Sequence, residues 1–146
     1  MEDPGQIRFK NSYALLPKQF YAKVKPEIMP RVNVIKLNKN LAEELNLNPD
    51  WLLKDEGTKF LSGQRIAPGS EPLAQAYAGH QFGTFVPQLG DGRALLLGEI
   101  TDKKGKKMDF QLKGSGRTPF SRNGDGRATL GPVLREYLIS EYMNAI

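Results

Sequence analysis

The chain has 146 residues, 21 Lys and Arg against 16 Asp and Glu, no cysteine, 15 glycines and 10 prolines. That is the size of one domain, able to bury about 68–70% of its unfolded surface. The absence of cysteine excludes a disulfide scaffold, a thiolate zinc site and a cysteine nucleophile. The longest apolar runs, such as Ala94–Leu97, are too short to span a bilayer, and no secretory pattern opens the chain. A soluble, intracellular chain is the expectation.

Taken in order, residues 1–30 carry Pro4, Pro17, Pro26 and Pro30 and read as an extended arm packed across a core. Arg31–Leu37, rich in β-branched residues, is predicted as a short strand. Asn38 caps a predicted helix through Asn46, with Leu41, Ala42 and Leu45 as its apolar stripe. Short helical turns follow at Trp51–Leu53 and at Lys59–Ser62, then a loop to Pro72 and an extended run from Leu73 to Ala78.

The second half has a different texture, with eleven of the 15 glycines between Gly79 and Gly131. Phe85–Leu89 and Arg93–Thr101 read as two strands joined around Gly90-Asp91-Gly92. Lys107–Lys113 is a third, with Met108, Phe110 and Leu112 on one face. A glycine- and arginine-rich loop spans 114–128. Pro132 suits a first helical turn, and Leu130, Val133, Leu134, Tyr137 and Leu138 predict one buried helix face.

Charge is concentrated too. Residues 102–127 hold eight basic and three acidic side chains, a net +5 equal to that of the whole chain. Such a field suits an anionic partner, although Asp102–Lys107 by itself reads as a solvated hairpin loop. Three Gly-x-Gly units, at 90–92, 114–116 and 124–126, lie close to these cations. Glycine lets backbone approach a phosphate and lets successive amides form an anion nest. None completes a P-loop or a dinucleotide fingerprint, and each alone is an ordinary turn. His80, the sole histidine, reads as a loop-organising residue without metal partners, and Trp51 as a packing anchor. Tyr77, Phe82 and Phe85 are either base-stacking groups or, more commonly, core.

The order of strand, glycine turn, strand, hairpin, strand ending in Lys113, and helix bearing Glu136 parallels a kinase N-lobe. There a helix glutamate holds a strand lysine near phosphate. A strand-end lysine and a solvated helix glutamate are an equal reading of the same residues.

The motifs then resemble a known family. Pro72–Gly83, Gln88–Ala94, Gln111–Gly116, Thr118–Arg122, Gly124–Ala128 and Leu134–Glu136 closely resemble the selenoprotein O (YdiU-like) family, and Asn11–Tyr13, Leu16-Pro17 and Phe20-Tyr21 its N-terminal arm. The resemblance implies an α+β, protein-kinase-like N-lobe, an antiparallel sheet plus a long helix, within 72–146, preceded by an extension over 1–71. It implies transfer of AMP from ATP to Ser, Thr or Tyr hydroxyls of proteins. It places Gly90, Gly92, Arg93, Lys113, Asp125 and Gly126 at nucleotide-contacting positions, with Lys113 and Glu136 as a supporting ion pair. Arg117 and Arg122 are basic neighbours with no assigned contact.

Family members run further, and their second lobe supplies more arginines, the catalytic aspartate and the magnesium-binding pair. Within these 146 residues no catalytic base and no metal ligand is therefore expected, and the fragment alone is expected to be inactive. ATP and hydroxyl-bearing proteins are the implied partners, with Mg2+ in the complete enzyme and no membrane. The compartment is cytoplasmic if bacterial and mitochondrial if eukaryotic. A basic nucleic-acid-binding domain and a non-catalytic pseudokinase-like module remain as alternatives.

Overall fold

A computed structural model of the chain describes residues 7–146; the expectations for residues 1–6 lie outside it. After two single 3-10 turns come β1 (Tyr21–Lys23), α1 (Lys39–Glu44), α2 (Pro49–Leu52) and α3 (Asp55–Leu61). Then follow β2 (Leu73–Gln75), β3 (Gly79–Gln81), β4 (Thr84–Val86), β5 (Ala94–Thr101), β6 (Lys107–Lys113) and α4 (Leu130–Ala145). The class is α+β with antiparallel sheets, as expected.

The main sheet has the order β1-β2-β5-β6, and β3 and β4 form a separate hairpin. β5 and β6 are the longest pair, running from Ala94 opposite Lys113 to Thr101 opposite Lys107. Their connection is the expected lysine-rich turn. The Asp102 carboxylate closes it by accepting the Lys104 and Lys106 N–H groups at 2.8 and 2.7 Å.

Local capping chemistry fixes the small helices. Asn38 accepts from the Leu41 N–H at 3.0 Å, and Asn48 accepts from those of Asp50 and Trp51, each at 3.0 Å. Pro49 occupies the first turn of α2, where no donor is needed. These helices place Leu52 and Phe60 against Leu97, Ile100 and Leu112 of the sheet. The arm contributes Phe9, whose ring lies 6.2 Å from Phe60 and 5.6 Å from Phe110. Trp51 packs at 5.9 Å from Phe60, an anchor as expected. The arm can lie this close because β5 carries Gly98 at a register shift; a Cβ there would sit 2.7 Å from the Lys10 carbonyl.

Three expectations fail. Arg31–Leu37 forms no strand, since no neighbouring strand pairs with it and Ile35 stays 71% exposed. The Gly90–Gly92 turn does not join a hairpin. β4 pairs instead with β3, across Phe82-Gly83, where both residues have positive φ (54° and 75°) as a type I′ turn requires. The helix expected at the C-terminal end is present, yet none of its residues is buried; Leu130, Leu134 and Leu138 are all exposed. Its stripe has the right spacing, but no described element covers it.

Candidate functional site

The glycine turn is fastened from both sides. On one side the Leu89 and Gly90 N–H groups donate to the Tyr77 carbonyl at 2.8 and 3.1 Å, and the Asp91 N–H to that of Gln75 at 2.8 Å. The buried Asp91 carboxylate turns the same way, accepting from the Gln75 N–H and the Tyr77 hydroxyl, each at 3.0 Å. Burial first, and then this bond, raise the Tyr77 phenol above its ordinary value.

On the other side the loop after β6 grips the turn's carbonyls. Thr118 donates its hydroxyl to the Asp91 carbonyl at 2.6 Å, and Ser121 donates its own to that of Gly92 at 2.7 Å. Phe120 lies between them, its ring pressed on Gly90, where a Cβ would come within 2.4 Å. Glycine is thus required here for the approach of Phe120. The expected anion nest at this turn is not what forms, because the Gly90, Asp91 and Gly92 amides are all spent on internal carbonyls.

The second glycine stretch differs. Asp125 accepts from the Arg127 N–H at 2.9 Å, and Gly126, at φ 70°, crosses directly over Gly116. The N–H groups of Asp125 and Gly126 meet no acceptor among the described residues. Here backbone donors remain available to a ligand.

Between the two stretches lies a cavity of about 520 Å³. Gly90, Gly92, Arg93, Lys113, Asp125 and Gly126 all line it, so the structure brings together every candidate from three separated segments. Lys113 and Glu136 face one another as expected, Nζ to Oε1 at 3.0 Å. Both side chains are about half exposed, so the pair steers the lysine more than it stabilises the fold.

Two further cations line the cavity, Arg122 and Arg127. Sequence reading gave Arg122 no contact and singled out Arg127 only as part of the basic segment. With Arg93 and Lys113 they make four basic side chains against two carboxylates, Asp91 and Asp125. Arg127 is held at 3.1 Å by Glu27 of the arm, which also accepts from the Arg117 N–H at 3.2 Å. That backbone donor first, and the Arg127 guanidinium second, lower the Glu27 carboxyl below its ordinary value. Arg93 and Arg122 pair with no carboxylate among the described residues.

Tyr77, Leu89 and Phe120 give the cavity an apolar side, beside Gln81, whose buried Oε1 accepts no hydrogen bond. Tyr77, Phe82 and Phe85 are not core residues, being 44%, 95% and 56% exposed. They stand on or before a two-stranded hairpin with no sheet behind it. His80 sits on that hairpin opposite Phe85, rings 5.5 Å apart, and no three His, Asp or Glu among the described residues are placed to hold a metal. Internal donors engage both carboxylate oxygens of Asp91 but only Oδ1 of Asp125. No helix among the described residues is long and apolar enough to cross a membrane.

A protein nucleotidyltransferase YdiU of Nitrobacter hamburgensis is 61% identical over 144 residues, covering 99% of this chain and 28% of its own length. Its counterpart in Rhodopseudomonas palustris strain BisB5 is 62% identical over 138 residues, covering 94% and 28%. That of Rhizobium meliloti is 61% identical over 140 residues, covering 96% and 28%. The chain therefore spans just over a quarter of the length of these relatives. The family described as protein adenylyltransferase SelO matches residues 5–146, and the chain belongs to it.

Proposed function

We propose that this chain forms the nucleotide-binding, kinase-N-lobe-like part of an enzyme that transfers AMP from ATP to hydroxyl side chains of proteins. The observation that carries the reading is the convergence of Gly90, Gly92, Arg93, Lys113, Asp125 and Gly126 on one cavity with more cations than carboxylates. A triphosphate needs this combination of mobile cations and unspent backbone donors. The Tyr77, Leu89 and Phe120 surface suits the face of a base.

In the transfer, a substrate hydroxyl oxygen bonds to the α-phosphorus, the bond to the β-phosphate oxygen breaks, and pyrophosphate leaves. The hydroxyl proton passes to a base outside the residues described. Lys113, restrained by Glu136, offsets charge on the phosphates, and its effect grows when the cleft is closed from water. Magnesium would add further neutralisation in the complete enzyme, from ligands outside this set. The bacterial relatives favour the cytoplasmic alternative of the two compartments.

The test uses ATP labelled at the α- or the γ-phosphate. A full-length relative carrying this region should transfer the α-label alone to protein, and Lys113→Ala should abolish it. The 146-residue chain should bind ATP without transfer. Incorporation of the γ-label would instead identify a kinase. Robust AMP transfer by residues 1–146, lost in Lys113→Ala, would overturn the need for a second lobe.

A further inference from the structure

Among the described residues, three other than glycine have positive φ: Asn46, Phe82 and Arg122. Asn46 follows α1, where its N–H and that of Leu47 close the helix end on the Glu43 and Ala42 carbonyls; asparagine tolerates such a position. Phe82 is the tip of the β3–β4 hairpin. Arg122 has no such explanation. It is the first central residue of a turn from Ser121 to Gly124, closed by the Gly124 N–H on the Ser121 carbonyl at 2.9 Å. Its φ is 55°, whereas Asn123 is not left-handed, and a turn with that pattern ordinarily takes glycine first. An arginine there costs the fold stability that glycine would not.

What the arginine does is visible in its placement. It lines the cavity, and its guanidinium has no partner among the described residues. The Ser121 hydroxyl donates to the Gly92 carbonyl at 2.7 Å, and Arg93 and Arg122 are the next residues along the two chains. One hydrogen bond thus joins the residues immediately before the two arginines of the cavity that pair with no carboxylate among the described residues. Thr118 locks the same junction one residue earlier on the glycine turn, through the Asp91 carbonyl. A solvated surface arginine would need neither the strained backbone nor the lock.

We propose that Arg122 is a polyphosphate-binding residue of this cavity, paired with Arg93, and that its left-handed backbone is retained for that contact. The proposal rests on the reading of the cavity as a nucleotide site. Guanidinium groups bind phosphate oxygens through two parallel N–H bonds, and two adjacent guanidinium groups suit neighbouring phosphates.

The experiment compares the 146-residue chain with Arg122→Gly and Arg122→Lys, titrating each with ATP, adenosine and inorganic tripolyphosphate and melting each without ligand. Arg122→Gly should raise Tm by about 2–6 °C while weakening ATP and tripolyphosphate about tenfold. Arg122→Lys, which keeps both the charge and the left-handed backbone, should leave Tm unchanged and lose less affinity. A variant that is more stable and binds worse is an outcome that a merely structural role cannot give. If the parent chain binds ATP and Arg122→Gly binds it equally well, the proposal for Arg122 fails and the nucleotide reading stands. If tripolyphosphate binds through Arg122 but ATP gains nothing over it, the anion contact stands and the nucleotide reading fails. If neither ligand binds the parent chain, both fail.

Discussion

The Thr118 hydroxyl, only 9% of whose residue is exposed, lies 2.6 Å from the Asp91 carbonyl and ties the loop after β6 to the glycine turn before β5. Twenty-seven residues separate the two in sequence, and through this bond Arg93 and Gly126 come to face one cavity. Phe120 also depends on Thr118, donating its N–H to the same hydroxyl oxygen at 3.1 Å.

Replacing Thr118 by Val keeps the shape and leaves the Asp91 carbonyl and Phe120 N–H without their partner. The expected loss is about 1–3 kcal/mol of stability, measured by urea unfolding. Thr118→Ser keeps the hydroxyl and removes one buried methyl, costing about 0.8 kcal/mol. A Thr118→Val chain as stable as the parent would mean that the bond contributes nothing.

Glu27 predicts an acid response. Its carboxyl is held below the ordinary value of 4.5, so in the unfolded chain it takes up a proton first as the pH falls. The stability it contributes is complete above that ordinary value and is lost as the pH drops through the lower, folded one. Glu27→Gln should unfold at lower urea than the parent near neutrality, and the difference should vanish in strong acid. A difference that persists unchanged below the folded value would contradict the account.

Glycines 105 and 126 make a matched pair. Both are left-handed, at φ 80° and 70°, but a Cβ on Gly105 would meet nothing within 4 Å, while one on Gly126 would lie 1.9 Å from the Gly116 carbonyl oxygen. Gly105→Ala should cost only the conformational term of about 1–2 kcal/mol. Gly126→Ala must also move backbone, so it should cost clearly more and broaden or shift the 114–128 loop signals in an amide spectrum. Equal losses would show that the crossing of 116 and 126 is not tight.

Legibility followed locality. Asn38 announced α1 because a cap is made within three residues of itself, and the alternation of Met108, Phe110 and Leu112 announced β6 for the same reason. The partner of a strand is not written in the strand. Val32, Val34 and Ile35 gave the right composition at a place where no ladder reaches, and Thr84–Val86 chose β3 over β5 because Gly90 and Asp91 fold back on Tyr77 and Gln75.

The site was legible where motifs carried it. Gly90, Arg93, Lys113 and Asp125 stood in recognisable runs, and Glu136 could be matched to Lys113 across 23 residues. Glu27 could not: it meets Arg127 across 100 residues from a proline-rich arm with no motif of its own. Arg122 left one signal, a Ser-Arg-Asn-Gly turn between two glycine units. Its meaning depends on a backbone angle that sequence does not display.

Amide chemical-shift mapping of the isotopically labelled 146-residue chain, titrated with ATP, tests the central claim most directly. The account predicts saturable shifts at Arg93, Lys113 and 124–127, with Lys103–Lys107 at the far end of the β5–β6 hairpin unmoved. Shifts confined to that lysine turn, given equally by ATP and by a short polynucleotide and lost in moderate salt, would contradict it and identify a nonspecific anion surface instead.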